Sequence, residues 1–308
     1  MANTQRLLLV ASPLMRHAPA FDRAAALAKA KGMALHILAF DYLEGLASAG
    51  LVNEQALAVM REGYVKQHRQ WLETQAVPMR RTGLTVTTEV VWVQHALDEI
   101  LIHLREQPFA MLIKALEHES WWMRAMFTPL DVQLLRECRV PLHFVRKANH
   151  ALPRTILAAV DLSAPEDQYE GFNEHIISEA LKLALQCNGQ VELLYVHDIG
   201  AMYQDADGYG ERSFFYDSSL TRTLHEAQRK AFQDLAERNG IDAEHCHLRM
   251  GDPAKVLAVF AENHDIDVVV MGRYHHRGIG GFIGSTAERV LYKLPSSALV
   301  ISPEHFQG

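Results

Sequence analysis

The strongest constraint on the fold is that one strand–helix pattern occurs twice along the chain, with a period of about 150 residues. Short apolar runs typical of buried parallel strands alternate with segments of helical periodicity in both halves. The runs are Leu7–Ala11, Leu35–Phe40, Val86–Val93, Met111–Ile113 and Leu142–Val145, then Ile156–Val160, Val191–Val196, His245–Met250, Val268–Met271 and Ala298–Ile301. This alternation predicts right-handed crossovers and an α/β fold. We therefore expect two tandem, doubly wound, five-stranded parallel-sheet domains of the Rossmann-like or flavodoxin-like kind.

A polar stretch, Arg146–Arg154, contains Pro153 and is typical of a surface linker between the halves. The predicted domains are residues 1–148 and 153–308. In the second domain Ile177, Ala180, Leu181 and Ala184 form an apolar stripe that predicts the buried face of a helix. Two similar domains predict a pseudo-twofold pair within one chain, and pairing of two chains into a homodimer is left open.

Composition excludes several classes of protein. The formal net charge of −7 argues against a nucleic-acid binder that relies on a basic surface. No run approaches the roughly 18 apolar residues of a membrane span, and the first residues turn polar too soon for a signal peptide. Cys138, Cys187 and Cys246 lack C-x-x-C spacing, which favours a reducing, cytoplasmic setting without disulfides.

A metal site is not predicted, although the chain contains 17 histidines. The most suggestive segments are His275-His276 and His245-Cys246-His247; in the second, a cysteine separates two histidines. Successive side chains of a strand point to opposite faces, so Cys246 would not share a face with the two histidines. No second pair at ligand spacing accompanies them.

The segment Asp267–Thr286 carries the clearest functional pattern. An apolar strand is followed by a loop with Gly272, Gly278 and Gly284, and Ser285-Thr286 then opens a helical pattern. Glycines let the backbone approach a ligand, and the N–H groups and dipole of a helix N-terminus favour an anion. The lysine of a P-loop is missing, which disfavours an ordinary P-loop NTPase.

The chain resembles the universal stress protein family, whose loop signature is Gly, two residues, Gly, nine residues, then Gly-Ser or Gly-Thr. Here Gly272 is followed by His275 at the second glycine position, and eight residues then precede Gly284. Ile156–Asp161 is similar to the family's first strand ending in Asp, and Gly251-Asp252-Pro253 to the exit of its third strand. The tandem organisation resembles the E-type members over nearly the whole chain, which implies the adenine nucleotide alpha hydrolase-like fold.

The resemblance implies ATP, ADP or AMP as the ligand of the second half, and leaves Mg²⁺ open. The implied nucleotide-binding residues are Asp161, Val196, Gly251, Met271, Gly272, Arg273, His275, Gly278, Gly284, Ser285 and Thr286. Asp161 is expected to accept hydrogen bonds from ribose, or else to cap its own turn. The glycines serve either phosphate or simple turns, and Arg273 and His275 either phosphate or a solvated basic loop.

The first half has the scaffold without the loop. Ile113-Lys114-Ala115 aligns with Met271-Gly272-Arg273, and no glycine lies between Lys114 and Thr128. Trp121, Trp122, Glu117 and Glu119 add bulk and negative charge where phosphates would lie, and Ser12 replaces Asp161. We expect Thr128 to cap the next helix, with Pro129 at its first position. The first half is then either a degenerate scaffold or a tryptophan-lined cleft for an apolar ligand.

The sequence is compatible with three functions. The leading one is a nucleotide-responsive binding module of the stress response, whose protein partners the sequence does not name. The alternative is a non-nucleotide interaction or scaffold protein that binds a partner or an apolar metabolite. An enzyme is not expected, because no motif places a nucleophile beside a base, although slow ATP hydrolysis is left open. The acidic and aromatic insertion Asp198–Leu220 is either a lid or a partner-binding loop.

Overall fold

The computed structural model describes residues 5–41, 54–116, 129–146, 149–163, 171–198, 218–273 and 285–303. The chain divides into two compact units, Met1–Leu152 and Pro153–Gly308. Each unit is an α/β domain, as the alternation of strands and helices predicts.

The first unit contains five strands and four helices in the described residues. The strands are β1 (Arg6–Val10), β2 (Ala34–Asp41), β3 (Val86–Trp92), β4 (Phe109–Ala115) and β5 (Leu142–Val145). The helices are α1 (Pro19–Lys31), α2 (Glu54–Arg81), α3 (Ala96–Glu106) and α4 (Leu130–Glu137). The strand order is β3-β2-β1-β4-β5, and every pairing in that order is parallel.

The second unit repeats this arrangement. Its strands are β6 (Thr155–Val160), β7 (Gln190–His197), β8 (Cys246–Met250), β9 (Val268–Gly272) and β10 (Ser297–Ile301). Its helices are α5 (Phe172–Cys187), α6 (Ser218–Arg238), α7 (Pro253–Asn263) and α8 (Ser285–Lys293), with a 3₁₀ turn at Ala243–His245. The order β10-β9-β6-β7-β8 is again entirely parallel.

The central strands are buried on both faces, as expected for parallel sheets covered by helices. Leu7, Leu8 and Leu9 of β1 are fully buried, as are Val268, Val269 and Val270 of β9. Consecutive apolar residues therefore serve opposite faces of one sheet, which is why these strands are continuous apolar runs instead of alternating patterns. No helix in the described parts of the chain is long and apolar enough to cross a membrane.

The fold class predicted from the sequence is confirmed, with four local corrections. His245 lies in the 3₁₀ turn instead of the strand. Leu181 is exposed, and Leu183 takes its place in the buried stripe of α5. Pro129 stands at the N-cap position with extended ψ, so α4 begins one residue later than predicted. Ser218 already belongs to α6, so the insertion ends before it. Residues 199–217 of that insertion lie outside the described residues.

Candidate nucleotide site

The strand order places a topological switch point between β6 and β9. From β6 the chain continues outward through β7 and β8, then returns to β9 on the other side of β6. In open parallel sheets, ligands bind in the crevice outside the carboxyl ends of the two strands at such a point. Asp161 directly follows β6, and Gly272 ends β9. Because Ala159 pairs with Met271, these two strand ends are neighbours in the sheet.

Asp161 forms a tight turn through one of its two carboxylate oxygens. Its Oδ1 atom accepts hydrogen bonds from the Ser163 backbone N–H at 2.9 Å and from the Ser163 hydroxyl at 2.5 Å. Its backbone N–H donates to Asn173 Oδ1 at 3.1 Å, while Asn173 Nδ2 donates back to its carbonyl at 2.8 Å. Asn173 is in the first turn of α5, so the helix fixes the position of the turn. The bonds from Ser163 both go to Oδ1, and neither engages Oδ2.

Tyr195 on β7 supplies a buried hydroxyl near Asp161. The side chain is 1% exposed, and its hydroxyl has no hydrogen-bond partner within the described parts of the chain. Burial, together with the Asp161 carboxylate, raises the pKa of Tyr195 to about 12. The phenol therefore stays protonated and keeps its capacity to donate a hydrogen bond. Val196, the next residue, is half-buried and follows the pairing partner of Val160.

His197 ends β7 as a buried histidine. Burial is the largest influence on the pKa of His197 and lowers it, His225 lowers it further, and Asp198 opposes them. The imidazole is therefore neutral at neutral pH. Its backbone carbonyl accepts a hydrogen bond from Gly251 N–H at 3.0 Å, which fixes the exit of β8 beside β7.

Gly272 is half-buried against a helix, and Arg273 is buried. A Cβ atom on Gly272 would lie 2.6 Å from Phe172 Cε1 and 2.8 Å from Ile176 Cδ1, so the glycine lets α5 pack closely on β9. Arg273 is 2% exposed, and its guanidinium donates to Ser302 Oγ at 2.8 Å. Arg273 is thus not part of a solvated basic loop. Met271 is also buried, so neither side chain that flanks Gly272 is exposed to solvent.

Gly251 and Asp252 build the start of α7 at the same edge. Gly251 has φ of +135°, a conformation that favours glycine. Asp252 caps the helix, since its Oδ1 accepts from the Lys255 N–H at 2.9 Å, and its Oδ2 accepts from Arg289 of α8. Although burial raises the pKa of Asp252, the bonds from Lys255 and Arg289 lower it overall. The pair ties α8 to the N-terminus of α7.

Helix α8 therefore contacts the start of α7 at the carboxyl edge of the sheet. Ser285 and Thr286 lie in its first turn, whose backbone N–H groups have no partner within the helix. Thr286 is exposed, so its hydroxyl reaches solvent. His275, Gly278 and Gly284, the loop positions expected to hold phosphate, lie outside the described residues.

Comparison with known proteins decides the family. The model of the universal stress protein family matches residues 153–302. Universal stress protein E of Escherichia coli is 27% identical over 309 residues, which cover 100% of this chain and 96% of that protein. The chain belongs to the universal stress protein family. A homolog of universal stress protein E in Haemophilus influenzae is 26% identical over 257 residues, covering 83% of this chain and 82% of its own.

Solved structures support the same fold. A functionally unknown protein from Pseudomonas aeruginosa superposes with a TM-score of 0.73 at 23% identity, covering 98% of this chain and 93% of that one. This likeness shows that the fold is shared over both units, and membership of the universal stress protein family supports a role in the stress response.

In this universal stress protein the first unit repeats the turn of Asp161 with a neutral residue. Ser12 Oγ accepts from the Leu14 N–H at 3.4 Å, as Asp161 Oδ1 accepts from the Ser163 N–H. Ser12 is therefore the counterpart of Asp161, as the sequence predicts. The first unit has the turn but lacks the carboxylate.

The structure corrects the alignment of the fourth strands by one residue. Leu116 N–H donates to Val145 O at 2.8 Å, and Arg273 N–H donates to Ile301 O at 2.8 Å, each at the end of its sheet's last strand. Leu116 is thus the counterpart of Arg273. The counterpart of Gly272 is therefore Ala115, and not Lys114. The apolar run alone does not fix the register, because both faces of the strand are buried.

Lys114 meets a carboxylate at the helix that follows. Its Nζ lies 2.8 Å from Asp131 Oδ1, and both side chains are largely buried. Asp131 is in the first turn of α4, where the second unit has Thr286 in α8. A carboxylate of the protein itself thus lies at the helix end that favours an anion. Trp121, Trp122, Glu117, Glu119 and Thr128 lie outside the described residues.

Sequence reasoning missed two contributors to the site, Tyr195 and Arg289. Tyr195 stands in an apolar strand run, where a buried aromatic residue is ordinary. Arg289 is in the second turn of α8 and is 37 positions from its partner Asp252. The sequence offers one signal for Arg289. The residue falls outside the apolar stripe of α8, which indicates that it is not part of the hydrophobic face of that helix.

Proposed function

We propose that the second unit binds an adenine nucleotide at the carboxyl edge of its sheet, and that the protein acts as a nucleotide-responsive module of the stress response. The observation that carries this proposal is the position of Asp161 at the switch point between β6 and β9, with Oδ2 outside the bonds from Ser163. A carboxylate oxygen is the acceptor that the hydroxyls of a ribose require.

We assign each part of the nucleotide to a part of this edge. Adenine lies beside Val196, ribose at Asp161, and the phosphates at the loop from Gly272 to Thr286, with His275, Gly278, Gly284 and Ser285 around them. Helix α8 supports this assignment, because Arg289 holds it to Asp252 at the same edge. The helix N-terminus then faces the negative charge of the phosphates.

The ligand is ATP, ADP or AMP, and Mg²⁺ would accompany the phosphates of ATP. The first unit binds no nucleotide, since Ser12 lacks the carboxylate and the pair of Lys114 with Asp131 lies at its helix end. The protein acts by binding and not by turnover. If the protein releases inorganic phosphate from ATP and the Asp161→Asn variant does not, the result would argue for a hydrolase instead.

Mass spectrometry of small molecules released by denaturing the purified protein is the first test. We expect one adenine nucleotide per chain, either as purified or after incubation with ATP. A folded Gly284→Asp variant should lose this nucleotide, because the substitution places bulk and negative charge against the phosphates. No nucleotide in the wild type after incubation with ATP, or full retention by the variant, would overturn the proposal.

A further inference from the structure

A cluster of two histidines and one glutamate lies in the first unit, outside the candidate nucleotide site. His36 is on β2, Glu89 on β3 and His103 on α3. One ligand atom from each residue lies within 4.8 Å of the others. Glu89 Oε2 is 3.4 Å from His36 Nε2 and 3.5 Å from His103 Nε2. The histidine residues are 6% and 8% exposed, so both are buried.

The outer nitrogen of each imidazole is held by an oxygen atom. His103 Nδ1 lies 2.9 Å from the carbonyl oxygen of Glu99, which only accepts hydrogen bonds. Nδ1 must therefore carry a hydrogen, which leaves Nε2 as the nitrogen that a metal ion would bind. His36 Nδ1 lies 2.8 Å from Thr87 Oγ1. Metal-binding histidines are oriented in this way, by an oxygen acceptor on the nitrogen away from the metal.

The Glu89 carboxylate faces both Nε2 atoms at the centre of the cluster. His36 Nε2 is buried, and its 3.4 Å contact with Glu89 Oε2 is long for a hydrogen bond, as is the 3.5 Å contact of His103 Nε2. A cation shared by the two nitrogens and the carboxylate would stabilise the three groups in this arrangement. Ligand atoms of a tetrahedral zinc site are about 3.3 Å apart, given bonds of about 2.0 Å. The two distances from Glu89 Oε2, 3.4 and 3.5 Å, fit that separation, and the two Nε2 atoms lie within 4.8 Å of each other.

We propose that His36 Nε2, His103 Nε2 and the Glu89 carboxylate bind one divalent transition-metal ion of the zinc type. Two imidazoles and one carboxylate suit Zn²⁺ and its chemical analogues, whereas Mg²⁺ and Ca²⁺ prefer sites made of oxygen. The side chain of Glu89 is 45% exposed, so the fourth coordination position opens to solvent and holds water. A site with three protein ligands and one open position is the arrangement found in catalytic zinc centres.

The second unit provides a natural comparison. In the first unit Leu38 pairs with Glu89, and in the second unit Leu194 pairs with His247. By this register Glu192 takes the position of His36, and His247 takes the position of Glu89. The acid and the base are therefore exchanged between the two strands. Glu192 bonds two imidazoles through different oxygens, His245 at 3.1 Å and His247 at 2.8 Å. These are ordinary hydrogen bonds and share no central atom.

The third ligand differs between the units. The buried residues Ile100 and His103 of α3 correspond to Leu257 and Phe260 of α7. Phe260 packs on the His247 ring with 4.8 Å between centroids. The second unit therefore lacks the ligand that completes the cluster in the first, and its residues serve as matched controls.

Titration of the untagged, chelator-stripped full chain with Co²⁺, followed by displacement with Zn²⁺, tests the proposal. We expect one Co²⁺ per chain with visible d–d absorption, displaced by one Zn²⁺. His103→Phe, which introduces the ring that the second unit carries, should weaken binding at least 100-fold. Thr87→Val should weaken binding about 10- to 100-fold, because it removes the oxygen that orients His36. The control His247→Gln should bind as the wild type does.

Three results would overturn the proposal. The first is wild-type affinity for Co²⁺ and Zn²⁺ weaker than about 1 mM, the level of nonspecific contacts. The second is unchanged affinity in His103→Phe, or in Glu89→Gln should His103→Phe fail to fold by circular dichroism. The third is sulfur-to-cobalt charge-transfer absorption that disappears in Cys246→Ser, which would place the metal at a thiolate.

Discussion

Phe172 fills the space beside Gly272, because a Cβ atom at Gly272 would lie only 2.6 Å from the Phe172 Cε1 atom. Glycine at the end of β9 is thus required by the packing of α5, whatever the nearby loop binds. The first unit accommodates Ala115 at the corresponding position, so the requirement comes from the particular aromatic ring of the second unit.

The first prediction is that Gly272→Ala destabilises the protein by about 1–3 kcal/mol, the range for overpacking a close contact. The added methyl group must displace Phe172 and Ile176, which are both buried. Gly63→Ala in α2 is the control, since a Cβ there meets nothing within 4 Å and helix propensity should stabilise by about 0.8–1.0 kcal/mol. Urea unfolding checks both variants, and an equal response would contradict the packing role.

The second prediction concerns the buried pair of His68 and Asp41. His68 Nδ1 lies 2.6 Å from Asp41 Oδ1, with side-chain exposures of 0% and 2%. His68→Ala should cost about 3–5 kcal/mol, because it leaves a buried carboxylate without its partner. His17→Ala is the control, since its 2.7 Å bond to Gln75 is exposed and its loss should change stability by less than about 0.5 kcal/mol. Similar losses of stability in the two variants would contradict the expected difference between the buried pair and the exposed one.

The third prediction is a dependence of stability on acid pH through Glu73. Hydrogen bonds from Arg80 and Thr88 lower the pKa of Glu73 from 4.5 to about 2. Since the folded pKa is depressed, the contribution to stability is complete above pH 4.5 and is lost as the pH falls from 4.5 to about 2. Arg80→Gln should raise the Glu73 pKa and reduce this loss. Carbon NMR titration of the Glu73 carboxyl measures the change, and an unaltered midpoint would contradict it.

The fourth prediction separates ribose from deoxyribose and rests on the proposed nucleotide site. A hydrogen bond to a charged group contributes about 1.5–3 kcal/mol, so ATP should bind roughly 10- to 150-fold more tightly than 2′-deoxy-ATP. Asp161→Asn should lose most of this preference. Asp242→Asn, at the amino end of β8, should retain it. Calorimetry gives both affinities, and an equal preference in the two variants would exclude Asp161 as the ribose acceptor.

The sequence predicts the sheets well because apolar runs such as Leu7–Ala11 and Val268–Met271 are long enough to be recognised without tertiary information. It predicts register less well. Lys114 is aligned with Gly272 in the sequence, yet the hydrogen bonds of Leu116 and Arg273 move the equivalence by one residue. A strand buried on both faces gives no alternation that would fix the register.

Site residues are predictable where a turn motif marks them and unpredictable where packing decides. The turn of Asp161 and Ser12 follows from the position after the first strand of each unit. The burial of Arg273 depends on Ser302, which is 29 positions away and belongs to no motif. The cluster of His36, Glu89 and His103 is dispersed over three elements, so no ligand spacing is visible along the chain.

The exchanged acid and base of the two units restrict how the repeats can recombine. Transfer of β2 into the second unit alone would place His36 against His247, and transfer of β7 into the first would place Glu192 against Glu89. Two imidazoles or two carboxylates would then face one another in a half-buried place. Transfer of the two neighbouring strands together would keep an acid opposite a base. The pair of adjacent strands, and not the single strand, is therefore the unit that preserves this complementarity.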